Sequence, residues 1–152
     1  MHFCKHLFIC LSLIAIAYAD DDDDDIGMTS EELIDALEPF GENCDPKPDR
    51  EHIRQLIKND ENPHQSSKCF RHCLMHEFEL IAEGSTTLDE EKTVDMLSMM
   101  YTDGKDDLEE IVKICNIENE GIAEKCENAH SHGMCILREL RQRNYKIPQP
   151  GK

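Results

Sequence analysis

The stretch Cys69-Phe70-Arg71-His72-Cys73-Leu74-Met75-His76-Glu77-Phe78-Glu79-Leu80-Ile81 decides how the chain is read. Cysteines four residues apart fall on one face of an α-helix, and Phe70, Leu74, Phe78 and Ile81 recur nearby on a helical rather than a strand period. The spacing predicts a helix over 66–83 carrying two sulfurs on one face, from which two separate bridges can leave.

The same period governs what lies on either side. Upstream, Thr29 with Glu32 makes a capping-box pattern, and Leu33, Ile34 and Leu37 give a first helix its apolar face before Pro39 stops it. Asp49 is placed to cap a second helix with Ile53, Leu56 and Ile57 on its face, and the stretch 59–63 breaks it. Downstream, Thr87 with Glu90 reads as a second capping box, opening a helix with Val94, Met96, Leu97, Met99 and Met100. A fifth helix over 105–117 carries Leu108, Ile111, Val112 and Cys115. A sixth over 122–144 carries Cys126, Ala129, Gly133, Met134, Leu137 and Leu140, and the prolines at 148 and 150 forbid its continuation. Strand signal is minimal and no repeat is visible, so the fold class is all-α with about six helices.

The first 19 residues carry a single Lys5, an apolar run over 7–17 and Ala17-Tyr18-Ala19, the layout of a secretory signal peptide. Its run is too short for a membrane span, which needs ~20 apolar residues. Cleavage there leaves about 133 of the 152 residues, enough for one domain. We read 20–27, which contains six consecutive aspartates, as an acidic disordered tail, 28–147 as the helical domain, and 148–152 as a C-terminal tail. Losing Lys5 and no acid moves the formal charge from −17 to −18, which excludes nucleic acid as a partner.

With Cys4 and Cys10 gone, six cysteines remain: Cys44, Cys69, Cys73, Cys115, Cys126 and Cys135. An even number in an oxidising compartment reads as three bridges, each adding about 2–4 kcal/mol, which matters in a chain lacking Trp altogether. Six cysteines allow 15 pairings. The spacing lacks the paired C-x2-C of a zinc site, His76-Glu77 lacks the second histidine of H-E-x-x-H, and consecutive aspartates lack the geometry of a calcium loop. No metal or cofactor is expected.

From Cys44 to Cys135 the pattern is C-x24-C-x3-C-x41-C-x10-C-x8-C. Its x3 and x8 intervals, and the Cys126-Glu127-Asn128-Ala129 that follows the fifth cysteine, resemble the six-cysteine insect odorant-binding proteins. The resemblance implies interlocked bridges Cys44–Cys73, Cys69–Cys126 and Cys115–Cys135 around an internal apolar cavity. It also implies a secreted carrier of small hydrophobic molecules such as odorants or pheromones, with a membrane chemoreceptor as a further partner.

Leu74, Phe78, Ile81, Met96, Leu97, Met100, Val112, Met134 and Leu137 are the expected lining, because they are apolar and lie on helices the bridges draw together. Each fits ordinary core packing as well, though flexible methionines suit varied ligands. A ligand of about ten methylenes gains roughly 8 kcal/mol on burial, which corresponds to about micromolar affinity. His72 and His76 on the third helix and His130 and His132 on the sixth are candidates for an acid switch, against a reading as scattered solvated side chains. Catalysis is not expected: the chain lacks the adjacent cysteines and calcium loop of a secreted phospholipase A2, has no G-x-S-x-G elbow, and keeps no free thiol. A secreted interaction protein acting through its acidic surface is the remaining alternative.

Overall fold

Thr29 opens the first helix as its spacing requires. Its hydroxyl accepts from the Glu32 amide at 3.2 Å, while the Glu32 carboxylate accepts from the Thr29 amide at 2.7 Å. Helix α1 (Ser30–Leu37) buries Ile34 and passes into a 3-10 turn (Glu38–Gly41). Asp49 caps α2 (Arg50–Ile57), accepting from the His52 amide at 2.9 Å. The remaining helices are α3 (Gln65–Glu77), α4 (Glu90–Met100), α5 (Lys105–Asn119) and α6 (Lys125–Gln142). The structure, a computed structural model, describes residues 25–151. The expected signal segment 1–19 and the first aspartates lie outside the described residues.

Several boundaries differ from the sequence reading: α6 begins at Lys125 rather than 122 and α5 runs on to Asn119, and two others differ for reasons the contacts show. Helix α3 stops at Glu77 instead of running to 83, because Glu79 turns into the left-handed region at φ 58°. There the Leu80 amide donates to the Met75 carbonyl at 2.8 Å and the Glu79 amide to that of His76 at 3.0 Å, a complete Schellman motif. Leu80 and Ile81 then enter the core in extended form, Ile81 pairing antiparallel with Leu88. Helix α4 is capped by Asp89, which accepts from the Lys92 amide at 2.9 Å, and not by Thr87. Thr87 is held in the loop instead, its amide donating to the Ser85 hydroxyl at 3.1 Å.

The two ends also carry regular structure. Strand β1 (Asp25–Thr29) pairs in parallel with β2 (Gln149–Gly151), joining segments that the sequence reading took for tail or helix entry. Nearby Ile147 packs on the core.

All three bridges form in the interlocked order, with Cα separations of 5.9 Å for Cys44–Cys73, 4.4 Å for Cys69–Cys126 and 5.7 Å for Cys115–Cys135. They fit an oxidising, extracellular setting. Helices α3 and α6 pack most extensively. Gly133 is what allows Arg71 of α3 to lie against α6, since a Cβ there would meet the guanidinium Cζ at 2.9 Å. Desolvation lowers the Arg71 pKa to about 10.

Candidate functional site

Among the described residues the apolar interior divides into three clusters. One lies between α4, α5 and α6 and includes Leu97, Leu108, Val112 and Leu140. A second joins Met75, Leu80, Ile81 and Leu88 to Ala129 of α6, with Phe78, Met96 and Ile136 packed against it. The third gathers Ile34, Ile53 and Phe70, with Leu74 at its edge. Ile136 touches the first and second clusters and so joins them.

The structure therefore brings Phe78, Ile81 and Met96 together, sets Leu97 and Val112 in the adjoining cluster, and puts Leu74 in the third. Ile81, Leu97 and Val112 are fully packed, whereas Met100 is 39% exposed. Met134 lines a surface cleft with His130 and Arg138, and Leu137 is half-buried on α6. A separate cleft of about 480 Å³ has the Cys44–Cys73 and Cys69–Cys126 bridges in its wall, together with Phe40, His72, His76 and Lys125. Phe40 stacks edge-on against Phe78 at 5.6 Å, which sets this cleft against the rim of the second cluster.

The four histidines do not gather into one group. His72 and His76 share the bridge-lined cleft, and His76 meets Glu83 at 3.3 Å. His130 bonds the Glu61 carbonyl through Nε2 at 3.1 Å, and His132, with no exposed surface, bonds the Thr86 carbonyl through Nε2 at 3.0 Å. Burial lowers the pKa of His72, His130 and His132, so the neutral ring is favoured at each. Among the described residues no three His, Cys, Asp or Glu side chains group as metal ligands.

A polar layer that the period-based reading missed holds the loop between α3 and α4 against the interior. Asn116 of α5 accepts from the Leu88 amide at 2.8 Å and donates to the Leu88 carbonyl at 3.0 Å. Asn128 of α6 donates to the Thr86 carbonyl at 2.9 Å and the Asn119 carbonyl at 3.0 Å. With His132, these side chains fix the Thr86 to Leu88 backbone that closes the second cluster. Their only trace in the sequence is a polar residue interrupting an apolar helix face.

No curated protein matches the chain. Among solved structures, the chain resembles the odorant-binding protein dmelOBP28a from Drosophila melanogaster, with a TM-score of 0.52 at 18% identity over 76% of this chain and 92% of that one. That likeness establishes the fold. The PBP/GOBP family model matches residues 27–139, which include all six bridged cysteines and five of the six helices whole. The chain belongs to the PBP/GOBP family, and is a small-ligand carrier with the odorant-binding-protein fold rather than an enzyme.

Proposed function

We propose that the protein is an extracellular carrier that reversibly buries a small hydrophobic ligand, an odorant, pheromone or similar semiochemical, within its bridged helical shell, and releases it in mild acid. The observation that carries this reading is the second cluster. Phe78, Ile81 and Met96 meet Ala129 and Ile136 there, between helices that the interlocked bridges tie to one another. Cross-linked helices have less freedom to lose when a ligand enters among these side chains, and a thioether such as Met96 adapts to varied shapes. Acid release rests on His132, whose protonation would put a charge where no carboxylate faces it. Delivery to a membrane chemoreceptor is the role such release would serve.

The test is displacement of a fluorescent apolar probe from the oxidised mature protein by aliphatic alcohols, aldehydes, esters and fatty acids, at neutral and mildly acid pH. Saturable displacement near micromolar concentration, weaker in acid and lost on reduction of the bridges, is the expected result. A folded, fully oxidised sample that binds no probe overturns the carrier reading in favour of a secreted interaction protein.

A further inference from the structure

We infer that the buried Nδ1 of His132 is the hydrogen-bond acceptor for a ligand hydroxyl, so that the preferred cargo is an apolar alcohol or phenol rather than an aldehyde, ester or hydrocarbon. This rests on the carrier reading and names the chemical class for the same interior.

The tautomer follows from a single contact. The Thr86 carbonyl has only lone pairs to offer, so the His132 Nε2 that meets it at 3.0 Å carries the proton. In a neutral imidazole Nδ1 is then an unprotonated acceptor. It is buried and bonds to no group among the described residues. A buried acceptor without a donor has lost its water and gained nothing in exchange, and a donor placed there restores the bond.

The surroundings suit an apolar ligand with one polar end. Ala129 and Ile136 stand three residues before and four after His132, on the same face of α6, and both belong to the second cluster. Facing elements supply no acid to that ring: Thr86 is its one polar contact among the described residues, and the groups named as shifting its titration are burial and that carbonyl. Two further buried atoms nearby lack a partner among the described residues: Asn128 Oδ1, an acceptor one turn before His132 on α6 that the His132 variant leaves in place, and the Thr93 hydroxyl on α4, 3% exposed. A hydroxyl can donate as well as accept, so Thr93 by itself would serve a carbonyl ligand equally well. His132 Nδ1 serves only a donor, and that asymmetry makes the proposal testable.

The oxidised mature protein is loaded with N-phenyl-1-naphthylamine and titrated with 1-decanol, decanal and decane, which differ only at one end. The expected result is about five- to tenfold tighter binding of decanol than of decanal, the worth of one buried hydrogen bond. His132→Phe keeps the shape of the ring and removes both nitrogens, while Asn128 still donates to the Thr86 carbonyl at 2.9 Å, and brings that ratio close to one. Nitrogen NMR of the unaltered protein gives a readout independent of the variant's folding, because the unprotonated Nδ1 signal of His132 moves on adding decanol and stays put on adding decane. Equal affinities for alcohol and aldehyde, a preference that survives His132→Phe, or a stationary Nδ1 signal with decanol bound overturns the proposal while leaving the carrier intact. A preference for decanal also overturns it and assigns recognition to a donor such as Thr93. Failure of the probe to bind at all removes the carrier reading beneath it.

Discussion

Asn116 shows how one side chain can carry a loop. Its amide meets both backbone groups of Leu88, at 2.8 and 3.0 Å, and both residues are buried, at 7% and 4% exposure. Truncation to alanine leaves a buried donor and a buried acceptor unmet, so Asn116→Ala is expected to lower unfolding stability by about 2–3 kcal/mol. The neighbouring Ile117→Ala, at a site 72% exposed, is expected to change it by less than about 0.5 kcal/mol. Chemical denaturation of the two variants measures the difference, and equal midpoints would refute the role given to Asn116. Neither this residue nor Asn128 was legible as a structural tie. Helical periodicity sorts residues into faces, but the carbonyls these amides reach lie 28 and 42 positions upstream, and no local pattern records such a partner.

At the scale of elements, what was legible was what is chemically local. The capping box at Thr29 and the cap at Asp49 formed as read, because an oxygen three residues before an orphan amide is enough to specify them. The end of α3 was not legible. Helices α2 and α6 close with Asn59 and Asn144 at positive φ, residues that tolerate the left-handed region, whereas α3 closes with Glu79, which gives no such signal. Its stop is imposed from outside by the burial of Leu80 and Ile81 against Leu88. Glutamate at φ 58° is therefore a local cost that glycine would relieve. Glu79 also meets Lys92 at 3.1 Å on the surface, a contact of small worth. Glu79→Ala and Glu79→Gly both remove every contact of the carboxylate, so the difference between them isolates the backbone, and the glycine variant is expected to be the more stable by about 0.5–1 kcal/mol. Equal melting temperatures for the two would show that the left-handed turn carries no such cost.

Across the whole molecule, the covalent frame is the one that the family resemblance implies and that spacing alone left open, while the distribution of the apolar residues had no such guide. Phe78, Ile81 and Met96 meet in one cluster, but Leu97 and Val112 fall into a second and Leu74 into a third, because which face of a helix meets which neighbour is set by packing between distant elements. The same burial that closes the interior sets how the molecule responds to acid. In His132, His130 and His72, burial depresses the pKa below the ordinary 6.5 of the unfolded chain. Above that value the rings are neutral in both states and their contribution to stability is fully present. As pH falls below it, the unfolded chain takes up protons that the folded one refuses. Each such ring then removes up to about 1.4 kcal/mol per pH unit until its folded pKa is passed. Ion-paired carboxylates act in a lower window: Glu139, held down by Arg143 and Arg138, loses its contribution only below the ordinary 4.5. Thermal unfolding from pH 7.5 to pH 5 is thus expected to show falling stability before any carboxylate effect sets in, and His132→Gln is expected to flatten part of that fall. A melting temperature that holds level across this interval would mean that the rings are solvated in the folded state, and the acid-release step would lose its physical basis.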